Sequence, residues 1–67
     1  MADETWARYR KGLVNLSLRD RRLVVGRLEL EYTYQQLAAI DGRKTEDAAR
    51  MAVKRALKRL VERMPDG

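Results

Sequence analysis

The chain has no cysteine and no histidine among its 67 residues. Their absence removes disulfide staples, thiolate nucleophiles and most transition-metal sites, and it fits a reducing cytoplasm. No unbroken apolar run exceeds four residues, far short of the ~20 that a membrane-crossing helix needs. No charged-then-apolar leader opens the chain, so secretion is not expected and a cytoplasmic location is. There is also no glycine-rich phosphate loop and no pair of carboxylates in an evident cleft. Acid–base and nucleophilic chemistry have nothing to run on, so neither an enzyme nor a cofactor nor a small-molecule substrate is expected. Length allows one domain at most, and a domain this small buries only about 60% of its unfolded surface. Its stability should be a few kcal/mol.

What is present is positive charge, and its location matters more than its total of +5. Residues 43–63 hold eight basic side chains (Arg43, Lys44, Arg50, Lys54, Arg55, Lys58, Arg59, Arg63) against three acids (Glu46, Asp47, Glu62). Residues 1–42 are nearly balanced, with seven basic and six acidic groups. An excess gathered in the last third is the footprint expected of an anionic partner, although a solvated helix face has the same composition.

Hydrophobic spacing predicts four helices, over residues 3–14, 18–30, 34–40 and 46–63, with 64–67 a frayed tail. In the first, Trp6, Tyr9, Leu13 and Leu16 recur every three or four residues and make one apolar face, with Trp6 as a core anchor. Gly12 weakens this helix and Asn15 stops it. "SLRD" opens the second: Ser17 caps, and Asp20 bonds back as in a capping box. Leu23, Val24 and Leu28 then face the core, with Leu16 or Leu18 preceding them. Arg19, Arg21, Arg22 and Arg27 are expected on the solvent side.

The clearest local signal is "YTYQQLAAI". Thr33 with Gln36 has capping-box spacing, and Tyr32 with Leu37 has that of a hydrophobic staple. A short helix from Tyr34 to Ile40 should end at Asp41-Gly42, because glycine accepts the left-handed conformation that closes helices. Thr45 caps the last helix, whose first turn holds Glu46 and Asp47. Ala49, Val53, Ala56 or Leu57, Leu60 and Met64 give it an apolar stripe, and Pro65 ends it. That helix would be roughly 27 Å long. The fold class is therefore all-α: a four-helix, bundle-like domain ending in a helix-turn-helix pair joined by a short glycine-containing turn.

"LSLRDRR", "EYTYQQLAAIDG" and "AARMAVKRALKRL" together resemble region 4 of bacterial RNA polymerase sigma factors, most closely the extracytoplasmic-function group. That family's pattern is a leucine, a short break, an Arg-acid-Arg helix start, "sYeEIA", a Gly turn and a helix ending "RAlkrL". Leu16, Arg19, Asp20, Arg21, Tyr34, Leu37, Ala38, Gly42, Arg55, Ala56 and Leu60 match it in register, over about residues 16–64. Two departures stand out. The turn from Gly42 to Thr45 is one residue longer than usual, which leaves the register of the next helix open by one. Asp41 occupies a position that is usually apolar. A complete sigma factor also carries region 2, which reads and melts the downstream promoter element. The 67 residues hold no such segment, so an excised domain or a small stand-alone relative is expected.

The resemblance implies a helix entering the major groove of the −35 promoter element from Thr45 onward. There, each base pair shows its own donor and acceptor pattern. Opposite the alanine and valine stripe lie Glu46, Asp47, Arg50, Met51 and Lys54, the expected base contacts. Arg50 can donate twice to guanine, Asp47 or Glu46 can accept from cytosine N4, and Met51 can touch a thymine methyl. Two acids at this end would repel phosphates, so they suit a helix whose tip meets base amino groups. Phosphate contacts are expected from Arg43, Lys44, Thr45, Arg55 and Lys58, and from Thr33, Tyr34 and Gln35 at the start of the preceding helix. The implied partners are double-stranded promoter DNA, the flap of the polymerase β subunit and an anti-sigma factor. Leu13, Val14, Val25 and Leu30 are spare apolar residues for the protein contacts. Two other readings fit the same residues: another helix-turn-helix regulator, for which a palindromic target would argue, and a sigma-like interaction domain that never reads DNA.

Overall fold

Short-range capping decides where the helices begin. The computed structural model describes residues 2–42 and 45–65, as helices α1 (Ala2–Val14), α2 (Leu18–Leu28), α3 (Tyr34–Ile40) and α4 (Glu46–Arg63). Among the described residues there is no strand, and no helix is long and apolar enough to cross a membrane. Thr33 carries the full capping box, its Oγ1 accepting from the Gln36 N–H while its own N–H donates to Gln36 Oε1. Thr45 Oγ1 accepts from the Ala48 N–H, so Glu46 and Asp47 open α4 as the spacing predicts. Asp41 closes α3, and Gly42 follows it at φ +70°, the left-handed turn expected there.

The end of α2 differs from expectation. The helix stops two residues early, at Leu28, and the N–H groups of Leu30 and Tyr32 turn back to Val25 O and Gly26 O. Glu31 makes the left-handed turn at φ 56°, a conformation that costs a side chain about 1 kcal/mol relative to glycine. No glycine marks this corner, so the sequence carries no sign of it.

α4 packs against each of the other three helices, and α2 also packs against α3. Its inward stripe is Ala49, Ala52, Val53, Ala56 and Leu60, all buried. Three alanines in that stripe let neighbouring helices come close, and Ala52 extends the stripe beyond the expected set. Leu13, Leu16, Leu23, Val24, Leu37 and Ala38 complete the core, with Leu57 and Met64 partly buried against it. Gly12 sits where α1 meets α4; a Cβ there would lie 2.8 Å from Leu60 Cδ1 and from Met64 Cγ. The close approach requires a residue without a Cβ, and glycine's weak helix propensity is the cost.

Several expected positions are corrected. Trp6 is 50% exposed and is no core anchor. Gly12 lies over Leu60 and Met64, and Arg8 Nε already donates to Pro65 O, so α1 runs past the end of α4 before Trp6 is reached. Trp6 instead rests on Tyr9, with ring centroids 5.2 Å apart. The Tyr9 hydroxyl donates to Glu29 Oε2, and its pKa is pushed up to about 12, first by burial and then by that hydrogen bond. Leu28, the last residue of α2, is likewise half exposed, and Leu18 is exposed where Leu16 is buried.

The arginines of α2 do not simply coat the surface. Arg21 donates to Leu13 O, Val14 O and Leu16 O, satisfying the carbonyls that the end of α1 leaves open. Arg27 donates to Tyr32 O at 3.0 Å, and Arg19 binds Asp41 through Nε and Nη2. Asp20 does not close a capping box. Ser17 Oγ accepts from its N–H, but its carboxylate crosses to Arg59 of α4 in a two-pronged contact, Nη2 to Oδ1 at 2.9 Å. Asp20 is the buried charged residue among those described, 8% exposed. The Arg59 hydrogen bonds hold its pKa below the usual carboxylate range, against burial that acts the other way.

Candidate nucleic-acid interface

The charged face of α4 is set by its buried one. With Ala49, Ala52, Val53 and Ala56 inward, helical periodicity turns Asp47, Met51, Lys54 and Lys58 to the opposite side, and all four are exposed. Glu46, Arg50 and Arg55 flank them, also exposed. The five expected base contacts therefore share one open face. Of the expected phosphate contacts, Thr33, Gln35, Thr45, Arg55 and Lys58 are exposed and Tyr34 is half-buried. Arg43 and Lys44 lie outside the described residues.

Among the described residues, Lys54, Arg55 and Lys58 pair with no carboxylate. Arg59 differs, being committed to Asp20. Arg50 is intermediate: its Nη1 lies 2.6 Å from Asp47 Oδ1, one helical turn away. Both partners are well exposed, so the pair contributes about 0–1 kcal/mol and water or a base edge can compete for it. The two threonine hydroxyls already accept backbone N–H groups as caps, but each keeps its own proton to donate. The capping box occupies the N–H groups of Thr33 and Gln36, leaving those of Tyr34 and Gln35 at the start of α3.

Tyr34 links the two helices. The Arg50 guanidinium lies 5.1 Å from its ring centroid, and Arg27 of α2 lies 4.3 Å from the same ring. The sequence pattern places Arg27 on the solvent side, free to meet solvent or a phosphate. Nothing in the spacing of an arginine in one helix and a tyrosine beyond the next turn announces that they meet. Of the spare apolar residues, Leu13 is in the core, while Val14 and Leu30 are exposed and Val25 is half-buried. Among the described residues no three acidic side chains converge as a metal ion would require.

Comparison with known proteins returned no match: no family model, no curated protein and no solved structure is similar to the chain at a meaningful level.

Proposed function

We propose that the chain acts as a sigma-factor region 4 domain, binding the −35 promoter element and so directing transcription initiation by RNA polymerase. In this reading α3, the Asp41-Gly42 turn and α4 form a helix-turn-helix, and α4 lies in the major groove. The observation that carries the reading is the exposed α4 face. It mixes two acids, an arginine and a methionine at the N-terminal end with cations farther along that pair with no carboxylate among the described residues. Base edges offer amino groups, guanine acceptors and thymine methyls to the first set, and phosphates meet the second. The resemblance in residues 16–64 points the same way, and Glu46, Asp47, Arg50, Met51 and Lys54 are the base contacts it supports.

Orientation on the duplex then comes from Arg55, Lys58, the Thr45 hydroxyl and the backbone N–H groups at the start of α3. If about four phosphates are neutralised, log affinity falls against log salt with a slope near −4. One such domain alone should bind in the range of about 10⁻⁴ to 10⁻⁶ M, and tethering to polymerase raises its effective concentration. The polymerase flap and an anti-sigma factor would dock on apolar surface, for which Val14 and Leu30 remain available and Leu13 does not.

The test is selection of bound duplexes from a random pool at low salt. A position-specific motif is the expected outcome. Retention of duplexes with no sequence preference would reduce α4 to a phosphate binder. No retention at all would favour a domain that binds only polymerase or an anti-sigma factor.

A further inference from the structure

Arg50 is held twice before any ligand arrives. Asp47 accepts from its Nη1, and the Tyr34 ring lies 5.1 Å from its guanidinium carbon, within the ~6 Å over which a ring face attracts a cation. Lys54, Arg55 and Lys58 on the same helix have neither kind of hold among the described residues. The ring is itself fixed. Tyr34 is the first residue of α3, immediately after the Thr33 capping box, and it packs partly against the core. Arg27 stands over it at 4.3 Å, anchored in turn by its hydrogen bond to Tyr32 O. Three helices thus converge on the placement of one guanidinium. A long, solvated arginine samples many rotamers and loses that freedom on binding; one already ordered loses less. Bidentate recognition of guanine gains most from such ordering, because both N–H groups must point along one plane.

We propose that Tyr34 is a positioning residue for Arg50. Its ring, braced by Arg27, fixes the guanidinium at the α3 edge of the α4 face, so one step of base preference depends on an aromatic side chain outside the reading helix. This rests on the proposal that α4 reads DNA, and it assigns Tyr34 to orienting an arginine where the sequence suggested a phosphate contact.

Two measurements test it. The first repeats the selection with Tyr34→Phe and Tyr34→Leu, each checked for helicity and cooperative melting. Tyr34→Phe keeps the ring and should keep the motif. Tyr34→Leu should bind random duplexes as before, with the same salt slope, while preference at one position falls about 3- to 10-fold. An unchanged motif in Tyr34→Leu overturns the proposal. So does a uniform loss across all sequences in Tyr34→Phe, which would make the hydroxyl a phosphate contact. The second leaves Tyr34 in place and decides the matter if Tyr34→Leu fails to fold. In free Asp47→Ala protein, where the carboxylate hold is gone and the ring remains, ¹⁵N relaxation of arginine Nε should show Arg50 ordered and Arg55 mobile; equal mobility overturns the proposal. If Arg50 is ordered but the wild-type chain selects no motif, it is the DNA reading of α4 that fails, and the role of Tyr34 in base preference falls with it.

Discussion

Three of the four arginines of α2 and three outward cations of α4 look alike in the sequence and have opposite fates. Arg19, Arg21 and Arg27 each donate to an oxygen of the protein's own chain. Lys54, Arg55 and Lys58 pair with no carboxylate among the described residues. Charge count does not separate these groups. What separates them is whether a helix end or a carboxylate lies within reach: α2 runs beside the open carbonyls of α1, while among the described residues no carboxylate reaches Lys54, Arg55 or Lys58. Arg59 belongs with the first group although it lies on α4, because it is turned toward α2 and Asp20. Availability of a cation, and so its use toward an external anion, is decided by packing.

The strongest way to break the contrast is to turn α4. Ala49 is fully buried, so Ala49→Asp places an uncompensated carboxylate in the seam and should abolish cooperative folding, an effect above about 4 kcal/mol. A cooperatively melting variant by circular dichroism would mean that the inner and outer faces are wrongly assigned. Next in size is Arg59→Gln, which strands the buried Asp20 carboxylate and should lower the urea midpoint at neutral pH. Asp20 has a lower pKa folded than unfolded, so its contribution is present above about pH 4 and is lost as pH falls below that. Urea midpoints of wild type and Arg59→Gln should therefore converge in acid; a constant difference down to pH 2 would remove the ion pair from the explanation.

Arg50→Ala should weaken the selected duplex by about 1–3 kcal/mol and relax preference at one base. Equal loss on random duplex would make it a phosphate contact. Arg21→Met keeps the aliphatic stem and removes the cap on α1. It should cost about 1 kcal/mol in thermal or urea unfolding, with the salt dependence of DNA binding unchanged. Lys58→Ala is its mirror image. Stability should stay within about 0.5 kcal/mol, while the salt slope falls in magnitude by about 1 on every sequence. If Arg21→Met changed the slope and Lys58→Ala changed the stability, the division between the two sets of cations would collapse.

Local chemistry was readable in the sequence, and through-space chemistry was not. The bounds of α3 and α4 followed from Thr33 with Gln36, Asp41-Gly42, Thr45 and Pro65, because a cap acts within four residues of itself. The inward stripe of α4 followed from periodicity. Trp6 had the right spacing for a core position, but its burial depended on how far α4 extends beside it. Leu28 failed for a similar reason at the end of α2. Asp20 had a plausible partner three residues away and took a better one 39 residues away, in another helix. The exposure of the candidate base contacts was legible for the same reason as the stripe. The grip of Tyr34 on Arg50 was not, since it requires knowing how α3 and α4 cross.

The alanine-lined seam has one more consequence. Because it fixes the rotational setting of α4, the outward residues from Asp47 to Lys58 form a ruler of fixed length, about 16 Å at 1.5 Å per residue. If α4 reads DNA as proposed, such a ruler spans roughly five steps of a duplex rising about 3.4 Å per base pair. On that reading, a recognition element longer than that would have to be measured out by two copies of the chain, or by a larger assembly that carries this one.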